Sequence, residues 1–213
     1  MLSPPLPSYA ETPPKLVGGA LALDFVNTVE WRGDPAAAGE RLTSYRELAL
    51  WSGHAGALPA AGSAALLAEA AARPADAARW LDAAIDLRQA IARLLDPDAA
   101  PPGGDLTLLN RMLALAGGPA RLQRTPAGIA WSDDPADPLA APLAAIARDA
   151  AELLVSGRAA RVRCCGDARC GWMFIDPARG RGRRWCSMAD CGNRAKARRH
   201  YRRRQPAGDA GPP

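Results

Sequence analysis

Hydrophobic positions recur at helical spacing over most of the first 157 of the 213 residues. Residues 16–31 form an apolar segment of ambiguous period, with Leu21, Phe25 and Thr28 on one helical face and Pro35 as its breaker. Tyr45, Leu48, Ala49 and Trp51 predict a short helix at 44–53, with Ser44 or Thr43 as N-cap and Glu47 in capping-box position. Alanine-rich helices are expected at 63–72 and 75–95. The second carries Trp80, Leu81, Ala84, Ile85, Arg88, Ile91 and Leu95 as an amphipathic stripe. After a Pro- and Gly-rich loop at 96–104, a helix at 105–116 starts on Asp105 as cap and stops at Gly117 and Gly118. Two short runs about Pro126, Ala127 and Gly128 predict a β-hairpin at 121–132, with Ile129 and Trp131 on one face. A last helix at 139–154 buries Leu143, Ile146, Ala147, Ala150, Leu153 and Leu154. Trp31, Trp51, Trp80 and Trp131 are spaced as core anchors. The expected fold class is a mostly α domain with a small β-hairpin over residues 16–157. The proline-rich residues 1–15 read as a disordered lead-in.

Beyond residue 157 the pattern changes, and charge shows it. Residues 156–204 hold fourteen Arg and one Lys against Asp167, Asp176 and Asp190, a local net of +12; the rest of the chain carries −7. All five cysteines lie between Cys164 and Cys191. An acidic body joined to a basic, cysteine-bearing end predicts two modules, the second at 158–205, followed by a flexible tail at 206–213. No apolar run approaches bilayer length, and the first residues lack the basic start and apolar stretch of an export signal, so a cytoplasmic protein is expected.

Four cysteines fall into matched pairs, Cys165-x4-Cys170 and Cys186-x4-Cys191, with fifteen residues between them. Zinc takes four such ligands at tetrahedral corners, and two short loops each supply two. One structural Zn²⁺ is the expected cofactor, supplying much of the stability of a segment too small to fold strongly alone. Its loss is expected to unfold this module and spare the helical body. Cys164 is the odd thiol: it could replace Cys165 as a ligand or act as a redox-sensitive thiol, and packing is its expected role. Between the pairs, residues 172–175 followed by an arginine-rich run at 179–184 and Trp185 predict a second hairpin with a basic tip. A breaker-free helix follows Cys191. Knuckle, hairpin, knuckle and helix make a treble-clef-like order. The helix repels itself unless a polyanion neutralises it. Arg183 and Arg184 at the hairpin tip and Arg198, Arg199, Arg202 and Arg203 on the helix are candidate phosphate contacts; Asn193, Arg194 and Lys196 are candidates for base edges.

The run WCSMADCGNRAKARRHYRRR resembles the signature of bacterial CGNR zinc-finger proteins, named for Cys191, Gly192, Asn193 and Arg194. CGDARCGWMFID, residues 165–176, resembles that family's first knuckle and strand, and LALDFVNTV, residues 21–29, the opening of the ABATE domain that precedes the finger. The resemblance implies a stress-induced transcription regulator whose finger binds DNA and whose ABATE domain senses a ligand, with Cys165, Cys170, Cys186 and Cys191 as zinc ligands. Pro177 and Ala178 depart from the family's hydroxyl pair, and Cys164 is extra.

Asp24, Asn27 and Thr28 are polar positions inside an apolar segment. They read either as a ligand-facing patch, which the resemblance encourages, or as groups that bond backbone and fix packing. His54 reads as a loop residue. No nucleophile–base–oxyanion set, phosphate loop or metal-hydrolase pair is present, so enzyme function is not expected. Two rivals to DNA stay open: RNA, stacked on Trp172, Phe174, Trp185 and Tyr201, and an acidic protein partner docked on the zinc module. A homodimer would supply the specificity that a lone finger lacks.

Overall fold

A computed structural model describes residues 6–59, 62–100, 103–116, 121–126, 128–132, 135, 137–177 and 182–204. Helices α1 (Leu21–Val26), α2 (Tyr45–His54), α3 (Gly62–Ala72), α4 (Pro74–Leu94), α5 (Gly103–Ala116) and α6 (Ala141–Val155) build the body. Its core centres on α1, α4 and α6, where Leu23, Phe25, Leu87, Ile91, Leu143 and Ile146 are fully buried. The apolar segment at 16–31 is not one element. After six residues α1 turns at Asn27 into β1 (Val29–Glu30), which pairs antiparallel with β2 (Gly39–Glu40). Asp149 of α6 caps α1 from a distance, its Oδ2 accepting from Ala22 N at 2.7 Å.

The remaining helices follow the periodicity with local corrections. Ser44 caps α2, its hydroxyl accepting from Glu47 N at 3.3 Å. The Glu47 carboxylate does not close the box; it accepts from Ser8 Oγ at 2.7 Å and Tyr9 N at 2.8 Å. That contact orders residues 6–15, which differ from the disordered lead-in expected of their prolines: Tyr9 is 2% exposed beneath the Arg41 guanidinium. Along α4 the buried face is Ala84, Leu87, Arg88 and Ile91, while Trp80, Leu81 and Ile85 stay half-buried. Arg88 is buried because both oxygens of Glu40 take its guanidinium and Thr28 Oγ1 accepts from Nη1 at 2.8 Å. Asp105 lies in the first turn of α5 rather than at its cap, and pairs with Arg93 at 2.6 Å. The hairpin β3 (Arg121–Thr125) and β4 (Gly128–Ser132) forms as expected, pairing Leu122 with Trp131 and Arg124 with Ile129. Ile129 is 67% exposed, and the Trp131 side chain lies outside the described residues.

The basic module starts with β5 (Val162–Cys164), antiparallel to β6 (Met173–Ile175), and ends with α7 (Asn193–Arg204). Its hairpin therefore lies one segment earlier than expected, wrapped around the first cysteine pair. Residues 182–185 run beside it as coil, tied by Gly166 N donating to Arg184 O at 2.8 Å; residues 178–181 of the expected tip lie outside the described residues. Val162, Met173 and Ile175 join the main core, so the two modules share one apolar interior.

Candidate metal centre and nucleic-acid interface

Backbone geometry builds the first knuckle. Cys165 N donates to Trp172 O and Cys170 N to Asp167 O, each at 2.8 Å. Gly171 then takes a left-handed φ of 64°, and a Cβ there would lie 2.5 Å from Gly33 N, so only glycine lets the knuckle close against the body. The second knuckle is a wide turn, Met188–Gly192, capped by Ser187. The Ser187 carbonyl accepts from Gly192 N at 3.0 Å, a five-residue reach that swings Cys191 back over Cys186.

These turns gather Cys165, Cys170, Cys186 and Cys191, all buried, with their four sulfurs within 4.8 Å of one another. Cys170 to Cys186 is 3.6 Å and Cys186 to Cys191 3.5 Å. Zinc–sulfur bonds of about 2.3 Å place tetrahedral sulfurs about 3.8 Å apart, so the cluster fits one zinc ion. Hydrogen bonds from the Cys170 and Cys186 thiols hold Cys165 well below the usual thiol range. Its thiolate pushes Cys170 up to about 12 and Cys186 higher still. Four thiols this close ionise together only around a divalent cation. Cys164 is exposed on β5, so the expected packing role does not hold; β-strand alternation turns it away from the cluster.

The arginines divide by role. Arg194 turns inward: its Nη2 donates to Cys191 Sγ at 2.8 Å, its Nε to Asp167 at 3.3 Å, and the guanidinium stacks 4.5 Å from the Trp31 ring. Arg183 also turns inward, donating to Val17 O at 3.2 Å, to Trp185 O at 2.9 Å and to Cys186 O, over the Phe174 ring. Both were expected at a nucleic acid. Both also brace the centre, where a sulfur and buried carbonyls take their donors. Arg198 reaches the same Asp167 at 3.1 Å yet is exposed on its outer side. Arg184, Asn193, Lys196 and Arg199 are exposed; the side chains of Arg202 and Arg203, farther along α7, lie outside the described residues. Asp167 was not among the residues expected at the site, although a carboxylate between two cysteines facing an arginine run was its signal.

Asp24 of α1, and Asn27 and Thr28 just beyond it, each bond to backbone. Asn27 pairs with Met173 of β6 on both sides, Nδ2 donating to its carbonyl at 2.9 Å and Oδ1 accepting from its N–H at 2.8 Å. Thr28 Oγ1 donates to Phe25 O at 2.8 Å, and Asp24 accepts from Gly18 N at 2.7 Å. Burial pushes the Asp24 carboxyl up to about 6. All three also line a cleft of about 200 Å³ between the modules.

Residues 19–157 match ABATE, described as "Putative stress-induced transcription regulator". The chain belongs to the ABATE family. Residues 161–204 of this ABATE protein match the CGNR zinc finger, and its four cysteines are placed to coordinate one structural zinc ion. Neither family description names an enzymatic activity. Comparison with curated proteins finds no match. Among the described residues, no helix of the ABATE protein is long and apolar enough to cross a membrane.

Proposed function

We propose that this ABATE protein is a zinc-dependent, DNA-binding transcription regulator of the cytoplasm, and that its helical domain senses a stress-related effector. The carrying observation is the start of α7 at the fourth cysteine. A basic helix leaves the metal centre with Lys196, Arg198 and Arg199 exposed along it, and Arg184 is exposed on the coil beside. Such a helix, about 18 Å long, suits a major groove, where its arginines would meet phosphates and displace counterions. Asn193 stands exposed at its first turn, where recognition helices read bases. Arg194 is withdrawn from that task by Cys191 and Asp167.

RNA stacking has less support. Phe174 is fully buried, and Trp172 is half-buried with its indole N–H on Val29 O at 2.9 Å. Trp185 packs against the cysteine cluster under Arg184, which leaves Tyr201, 70% exposed, of the four rings named.

The test is selection of the zinc-loaded protein on a random duplex pool at several salt concentrations, with single-stranded RNA as comparator. Enrichment of a duplex motif is expected. Equal binding to duplex and RNA that collapses with salt, with no motif, would overturn the regulator reading.

A further inference from the structure

The cleft between the modules has features of a ligand site that neither module forms alone. On the side of the body it is lined by Asn27, Trp31 and Trp51; on the side of the zinc module, by Cys191 and Arg194. Tyr9, Thr12, Pro13, Pro14 and Lys15 line it as well, on a segment held at three points. Tyr9 is held by Glu47, Thr12 O accepts from Arg41 Nη2 at 3.0 Å, and Lys15 pairs with Asp190 at 2.9 Å.

Its chemistry is specific about what it would take. Trp51 lines the cleft and is 0% exposed, and its indole N–H is a buried donor with no partner among the described residues. Such a group costs free energy unless a ligand accepts from it. Most charges around the cleft are already matched: Arg41 with Glu30 at 3.3 Å, Lys15 with Asp190, and Arg194 with Cys191 and Asp167. Tyr9, Trp31, Trp51 and Trp172 are among its lining residues, so four aromatic side chains border it. The Trp31 backbone is held at a left-handed φ of 55°, unusual for an aromatic residue, and this sets its ring against Arg194. A volume of about 200 Å³ is smaller than a drug-sized pocket and leaves room for one or two rings.

We propose that this inter-module cleft binds a neutral, planar one- or two-ring compound bearing a hydrogen-bond acceptor that takes the Trp51 indole N–H. The inference deepens the effector reading above, on which it rests. Because Cys191 and Arg194 share the cleft wall, an occupant would touch the base of α7 itself.

The experiment uses full-length, zinc-loaded protein and three probes: quinolin-2-one, a neutral bicycle with a carbonyl; naphthalene, which lacks an acceptor; and 2-naphthoate, an anion. Affinities are read by equilibrium dialysis, and the Trp51 indole N–H by ¹⁵N-edited NMR. Quinolin-2-one is expected to bind saturably and about ten-fold more tightly than either comparator, moving the Trp51 indole resonance downfield. Trp51→Phe is expected to remove that preference while retaining weak binding of naphthalene. The wild-type resonance carries the test if that variant fails to fold. No saturable binding of quinolin-2-one, equal affinity for all three probes, or an unmoved Trp51 resonance would overturn the proposal. Duplex binding is measured on the same preparation without probe. Intact duplex selection with no probe binding sinks the cleft alone, whereas probe binding with no duplex selection sinks the regulator reading and leaves the cleft standing.

Discussion

Asn27 makes one of the contacts between the two modules with both ends of a single side chain. Its amide supplies both a donor and an acceptor to the Met173 backbone of β6, replacing a missing neighbouring strand. Asn27→Ala would leave a buried N–H and a buried carbonyl unpaired, at a cost of about 2–4 kcal/mol. Chemical denaturation should report it as a lower midpoint. Asp24, three residues earlier, offers a pH test. Burial raises its folded pKa to about 6 from 3.8, so the folded state holds that proton more tightly than the unfolded chain. Its contribution is full below about pH 4 and is lost as pH climbs toward 6. Asp24→Asn should flatten that decline, a difference on the order of 3 kcal/mol across the interval. An unchanged slope of stability against pH would remove Asp24 as its source. The trio was visible in the sequence as polar letters in an apolar run. Its partners were not, because Met173 lies 146 positions from Asn27 and nothing local links them.

At the level of elements, α7 divides its basic residues between two tasks that the sequence alone does not separate. Lys196→Ala and Arg199→Ala should each reduce the salt slope of duplex binding by about 0.9 for every phosphate the side chain neutralises. Arg194→Ala should instead speed zinc loss to a chelator, since Arg194 donates to Cys191 Sγ. If Lys196 and Arg199 leave the slope unchanged, α7 does not lie on the phosphates. Helices α2, α4, α5 and α6 and the hairpin β3–β4 were legible because helical periodicity and turn residues are local signals. The second hairpin was misplaced for the same reason. Residues 162–164 carry arginine and cysteine rather than an alternating apolar pattern, and they pair with β6 only because the first knuckle folds them back onto it.

For the molecule as a whole, the shared interior changes what removal of the metal does. Cys186→Ser should abolish zinc loading, measured by elemental analysis, and a full metal load would overturn the ligand assignment. From sequence, the helical body was expected to survive such a loss. With Val162, Met173 and Ile175 in the main core and Asn27 clamped on β6, chelation should also lower the thermal midpoint of the body, followed by helical circular dichroism. An unmoved midpoint would mean that the modules are energetically separate.

The zinc ligands, the basic helix and the mostly helical class were decided by residue type and spacing, because a four-cysteine set and an amphipathic stripe each need only near neighbours. Which arginines face inward, how residues 6–15 strap the body, and where the cleft lies were decided by the tertiary structure alone. Those features depend on what stands opposite: a buried thiolate for Arg194, a carboxylate for Tyr9 N, an unpartnered indole beside a zinc module. No periodicity along the chain encodes such pairings.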